Sequence, residues 1–128
     1  MNVEVTKAIA QLERAFPSSV ITVTEDGSGG AHVFVENLDL GVSFIPQFSW
    51  MGGHISALYP YSDIYPVFID AAVHRVDGKN FEPPVTSGHN YGGRSAIQIS
   101  RRNNQIQNGP QTAVAKFLKI LDFMGNLP

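Results

Sequence analysis

The residues best placed to do chemistry stand in one segment, residues 90–105, NYGGRSAIQISRRNNQ. Two glycines lead into a short alternating run, SAIQIS, which then meets paired arginines and asparagines. A tight turn that delivers a short side chain onto a strand is a common way to present a nucleophile. The residue delivered here is Ala96, and the chain contains no cysteine. Disulfides, thiolate metal sites and cysteine chemistry are therefore excluded for this chain as it stands. Ser95 and Ser100 are the nearest hydroxyls, but a hydroxyl needs an adjacent base. His89 is the only nearby candidate in sequence.

The other reactive side chains are scattered. The four histidines, His32, His54, His74 and His89, include no pair at the short spacing of a zinc site, so neither metal nor cofactor is expected. Arg94, Arg101 and Arg102, with Lys79, form the one basic concentration. The set is small and lacks interleaved stacking aromatics, which disfavours nucleic acid and leaves a solvated loop face or a protein-binding patch. Asp63 fits a turn cap, and Phe48, Trp50 and Met51 fit either core packing or an exposed contact.

The elements that must position these residues are legible in part. Val5, Ala8, Ile9, Leu12 and Phe16 share one face at helical spacing and Pro17 ends the run, so residues 3–16 are predicted as an amphipathic helix. SSVITVTED alternates with period two and is rich in branched residues, as a strand does. GSGG supplies a turn, and AHVFVENLDL returns as the second strand. GVSFIPQF is read as a third strand, MGG as a flexible connection, and HISALY as a fourth strand. YPYSDIYPVFID is an extended crossing, because a residue before proline is pushed out of the helical region. RVDGKNFEPPVTSGHNYGG reads as a long loop and SAIQIS as a brief strand. The last helix is placed in QTAVAKFLKILDFMG, with a stripe of Val114, Phe117, Leu118, Leu121 and Met124, Pro110 in its first turn and Gly125 at its stop. The prediction is a single α+β domain over 1–128, with function expected in the long loop.

This order, with YPYSDIYP, the pair His89–Asn90 and the glycine turn, resembles the ubiquitin-conjugating-enzyme family. Tyr59, Pro60 and Pro66 match its Tyr-Pro segment, and Ser100, Arg101 and Arg102 are similar to divergent bacterial members of ubiquitin-like conjugation operons. The His-Pro-Asn motif lacks its proline, its spacing to residue 96 is short, and Ala96 stands where the cysteine is expected.

The resemblance implies a UBC-like fold with a four-stranded antiparallel meander. It implies a protein that takes a ubiquitin-like modifier as a cysteine thioester from an activating enzyme and passes it to an amine on a protein target. Thioesters suit this task because the thiol is nucleophilic near neutral pH and its thioester is reactive to amines. An ester on Ser95 or Ser100 would be a poor amine donor. By resemblance Asn90 is the oxyanion donor, with Asn103 and Asn104 as competitors, and His89 orders the loop. Asparagines also support turns through local backbone bonds. Lys7 and Arg14 on the first helix would face the activating enzyme, and Arg94, Arg101 and Arg102 would steer a partner. With alanine at 96 two readings stand: a Cys→Ala variant of a conjugating enzyme, or a naturally non-catalytic binding module. An unrelated α+β interaction domain is a third.

Composition agrees with a soluble globular chain, since 43% of residues are apolar and 16% charged over 128 residues. The net charge of −2 favours neither nucleic acid nor an anionic membrane. No apolar run approaches the ~20 residues of a span. Glu4 and Glu13 interrupt the first apolar stretch, so a signal peptide is not expected and a cytoplasmic location is.

Overall fold

The computed structural model of the protein describes residues 1–102 and 112–128. In chain order the elements are α1 (Val3–Ala15), β1 (Ile21–Glu25), β2 (Ala31–Asp39), β3 (Phe44–Ile45), β4 (Phe48–Ile55), β5 (Val67–Asp70), β6 (His74–Arg75), β7 (Val85–Tyr91), β8 (Arg94–Ile99) and α2 (Ala113–Gly125). The predicted α+β class, with a helix at each end and an antiparallel sheet between, is what the chain forms.

Helix α1 starts where Asn2 accepts a side-chain hydrogen bond from Val5 N at 3.0 Å, which satisfies one of the free amides of the first turn. It buries Val5, Ala8 and Leu12, with Ile9 and Phe16 partly covered against the same core. Residues three and four apart lie on one face, so the stripe seen in the sequence is the stripe that packs. Phe16 closes the helix by donating its N–H to Leu12 O, and Pro17 follows.

Six strands form one sheet in the order β1-β2-β4-β5-β8-β7, every neighbouring pair antiparallel. Strands β3 and β6 make a separate two-stranded pairing. Alternate residues of a strand point to opposite faces. Val33, Val35, Met51, Ile55, Ile69, Ile97 and Ile99 point to one side and join Val5, Leu12, Phe117 and Ile120 in the main core. Phe34, Trp50, Phe68 and Ala96 point to the other side, which neither helix covers, and make a second small apolar cluster.

The sheet is larger than the predicted meander, and three boundaries differ for physical reasons. GVSFIPQF forms no strand of its own in the main sheet: Phe44 and Ile45 make β3, which pairs with β6, and only its last residue, Phe48, opens β4. The MGG expected as a connection lies inside β4, and HISALY ends that strand instead of starting one. Glycine is needed there because side chains crowd both faces: a Cβ on Gly52 would lie 3.0 Å from the Tyr91 ring, and one on Gly53 would lie 2.6 Å from Ile64 Cγ2. Thirdly, the long loop predicted over residues 75–93 begins inside β6 and contains all of β7. Strand β7 escapes a period-two reading because it carries Ser87, Gly88 and Asn90 and its register slips between Thr86 and His89.

Helix α2 is capped by Thr112, whose side chain accepts from Ala115 N at 3.1 Å, while Ala113 N donates to the Tyr59 hydroxyl at 3.0 Å. Its buried residues are Ala113, Lys116, Phe117, Ile120 and Met124, so the packed face is turned from the predicted stripe and Leu118 is half exposed. A buried lysine accounts for the turn. Lys116 Nζ donates to Arg101 O at 2.8 Å and pairs with Asp63 Oδ1 at 2.9 Å. Burial pulls its pKa down, against the opposing pull of Asp63. Gly125 is the last helical residue rather than the residue beyond it. Asn103, Asn104 and Pro110 lie outside the described residues.

Candidate functional site

The glycine turn is a two-residue hairpin loop. Gly92 and Gly93 have φ of 56° and 79°, the doubly left-handed geometry that matches strand twist and that side chains resist. The turn fixes the pairs Tyr91↔Arg94, Asn90↔Ser95 and His89↔Ala96. Directly paired residues share a face and successive pairs alternate. His89, Tyr91, Arg94 and Ala96 therefore face the side without helices, and Asn90 and Ser95 face the opposite way.

This geometry bears directly on residue 96. Strand β8 is interior to the sheet, so Ala96 is flanked by His89 on one side and Asp70 on the other. Its side chain is 0% exposed, packed among Phe34, Trp50, Phe68 and Tyr91. Asn90 is exposed, on the other face of the hairpin. A group at 96 and the amide of Asn90 cannot meet without refolding the hairpin. His89 Nε2 lies 2.9 Å from Thr86 Oγ1, a bond that spans the register slip in β7.

What the hairpin does present is a clasp. Its tip curls back over the sheet far enough that a Cβ on Gly92 would lie 2.5 Å from Phe34 Cζ, although β5 and β4 separate β8 from β2. The Tyr91 ring stacks on Phe68 with centroids 4.5 Å apart and planes 7° apart. Arg94 reaches Glu36 on β2 with two bonds of 2.8 Å, and its guanidinium lies 3.9 Å from the Phe34 ring centre. Glu36 also accepts from Thr22 Oγ1 at 2.7 Å. The Arg94 bond is the chief reason that the Glu36 carboxyl titrates below its ordinary range, with burial opposing it. Two planar cationic N–H groups matched to one carboxylate are a strong pairing where water is partly excluded.

A polar chain continues from the clasp. The Tyr91 hydroxyl lies 3.0 Å from His32 Nδ1. His32 stacks on its cross-strand partner His54 with centroids 4.4 Å apart, and His54 Nε2 lies 2.7 Å from Asp26 Oδ2. The other Asp26 oxygen accepts from Ser28 N and Gly30 N, holding the β1–β2 turn. The His54 bond, helped by those amides, takes the Asp26 carboxyl down to about 2. Burial and the neighbouring His54 push the His32 pKa down. Burial pushes the Tyr91 phenol far up, so it stays protonated.

The remaining expected residues are spread over the surface. Lys7 and Arg14 stand exposed on α1, with Lys7 3.6 Å from Glu4. The basic concentration divides: Arg94 is held by Glu36, Arg101 lies over Phe123, and Arg102 lies over Tyr65 at 3.8 Å. Lys79 closes a turn by donating its N–H to Asp77. Asp63 binds the buried Lys116 rather than only capping a turn, and Trp50 and Met51 are buried while Phe48 is half exposed. Among the described residues no three His, Asp or Glu side chains gather as metal ligands would. The sequence reading missed the partnership of Tyr91, His32, His54 and Asp26, since it depends on strand register. Its one visible trace is the alternation of His32, Phe34 and Glu36 in AHVFVEN.

No helix among the described residues is long and apolar enough to cross a membrane. Comparisons with known protein families, with curated proteins and with solved structures each find no match.

Proposed function

We propose that the chain is a ubiquitin-conjugating-enzyme-like module that recognises a ubiquitin-like protein or its activating enzyme by non-covalent binding. The family part of this reading rests on the resemblance carried by YPYSDIYP, His89–Asn90 and the glycine turn, within a helix–sheet–helix order. The non-catalytic part rests on one observation: the side chain at 96 is 0% exposed. A thioester carrier must offer its sulfur to a protein C-terminus and then to an amine. A sulfur under the Tyr91 ring could do neither, and burial among aromatic rings would also raise a thiol's pKa. That burial favours the binding module over a conjugating enzyme with cysteine at 96. Exposed Lys7 and Arg14 on α1 are the side chains this reading assigns to partner contact.

The test uses a bacterial ubiquitin-like protein and its own activating enzyme. With both and ATP, the Ala96→Cys variant is expected to give no reducible adduct on gels. Calorimetry is expected to detect binding of the unaltered chain to one of the two proteins, weakened by Lys7→Glu with Arg14→Glu. A reducible adduct overturns the non-catalytic reading. Absence of binding to either protein, when the pair is competent together, overturns the resemblance as a guide to function.

A further inference from the structure

The sheet has two edges, β1 and β7, and they are built differently. Strand β7 carries the devices that blunt an edge: a register slip between Thr86 and His89, and Gly88 at φ 84°. Strand β1 has none of them. It is the unbroken run Ile-Thr-Val-Thr-Glu, without proline, glycine, lysine or bulge, in constant register with β2 from Ile21↔Val35 to Glu25↔Ala31.

The register also says which backbone groups face outward. Glu36 N donates to Val20 O, and Asp26 N donates to Gly30 O. Hydrogen-bonded pairs alternate along an antiparallel ladder. Thr22 and Thr24 therefore spend their N–H and C=O groups on β2, while Ile21, Val23 and Glu25 aim theirs out of the sheet.

We infer that β1 is a self-association edge, at which a second copy of this chain adds its own β1 antiparallel across a two-fold axis at Val23. The sequence of the strand is what selects a second copy over an unrelated peptide, because it is self-complementary about that residue. Val23 pairs with its equivalent, Ile21 with Glu25 of the other copy, and Thr22 with Thr24. The outward groups of Ile21, Val23 and Glu25 then satisfy one another in about six backbone bonds. The threonines meet in the closer, non-bonded pairs, where threonine partners are favourable. Ile21 and Val23 lie at the rim of the main core and are only partly buried, so a neighbouring strand completes their burial. Glu25 does not bring an uncompensated charge, since the amino terminus of Met1 lies 2.6 Å from its carboxylate. The contact is isologous and closed, which gives a dimer with one continuous sheet of two copies and no fibre. It is short, so it belongs with weak, reversible interfaces.

Sedimentation velocity over about 10 µM to 1 mM protein reads the association, with weak interfaces of this size expected to form within that range. The unaltered chain is expected to shift from monomer to dimer. Val23→Pro is the matched variant, because it removes an outward N–H and no ladder bond within the chain. It is expected to stay monomeric. Hydrogen exchange on the unaltered chain supplies a readout that survives if that variant fails to fold. The amides of Ile21, Val23 and Glu25 are expected to gain protection as concentration rises, and those of Thr22 and Thr24 to change little. A chain that stays monomeric at 1 mM, a folded Val23→Pro variant that still dimerises, or outward amides indifferent to concentration would each overturn the inference.

Discussion

Tyr91, on the last strand of the sheet, hydrogen-bonds His32 on the second, 3.0 Å from hydroxyl to Nδ1, across three intervening strands. The curled hairpin tip carries the ring there, Gly52 leaves its path clear, and Phe68 offers a flat surface beneath it. The bond and the stack separate by mutation. Tyr91→Phe keeps the ring and loses the hydroxyl, at about 1 kcal/mol for one ordinary hydrogen bond. Tyr91→Ala uncovers Ala96, Phe68 and Phe34 together and is expected to cost about 3 kcal/mol or more. Urea denaturation followed by Trp50 fluorescence measures both. Equal losses would mean that the ring contributes nothing to closing this face.

The glycine turn gives a sharper contrast between two neighbours. Both Gly92 and Gly93 carry positive φ, so an alanine at either costs about 1–2 kcal/mol in backbone strain. Only Gly92 also faces Phe34 at 2.5 Å, whereas a Cβ on Gly93 enters open space. Gly92→Ala is thus expected to lose a further 1–3 kcal/mol through overpacking. Thermal unfolding of the two variants side by side decides the matter. Similar midpoints would show that the hairpin tip does not press on the sheet as described.

How far the sequence speaks is clear from these residues. The 3.6-residue stripe of α1 and the two-residue alternation of β1 and β2 are local signals, and they led to the right elements. The MGG of β4 was misread because its glycines answer to Tyr91 and Ile64, which come much later in the chain. Lys116 reads as a solvated position until Asp63 and Arg101 O are brought to it. At the candidate site the turn itself was legible from Gly92 and Gly93. The facing of Ala96 and Asn90 was not, because it follows from register, and a shift of one residue reverses it.

Stability should fall in acid in two stages. The His32 pKa lies below the ordinary 6.5, chiefly through burial, so the unfolded chain takes up that proton first. Stability linked to His32 is complete above 6.5 and declines as pH drops below it. The Asp26 carboxyl titrates at about 2 instead of 3.8, chiefly through His54, so its contribution is complete above 3.8 and is lost between those values. Denaturation midpoints measured from pH 8 to pH 2 are expected to show both declines. Asp26→Asn should reduce the second, to which the lowered Glu36, Asp39 and Asp77 carboxyls also contribute, and an unchanged acid limb in that variant would remove Asp26 from the account.

Lys116 offers the cleanest separation of a pair's net contribution from the cost of breaking it. It is 3% exposed, and its ammonium is met by the Asp63 carboxylate and the Arg101 carbonyl. Lys116→Ala removes the cation from its place between Asp63 and the Arg101 carbonyl and opens space beneath α2. A loss of about 3–5 kcal/mol is expected, as for other buried pairs broken on one side. Lys116→Met keeps most of the stem's volume, and with Asp63→Asn it also removes the carboxylate's charge. That double variant should recover most of the loss, because the desolvation of two ions is no longer opposed to their attraction. Chemical denaturation of the three proteins at neutral pH measures the difference. If the double variant is as unstable as Lys116→Ala, the ion pair itself, and not the volume of the lysine stem, is what anchors α2 to the crossing.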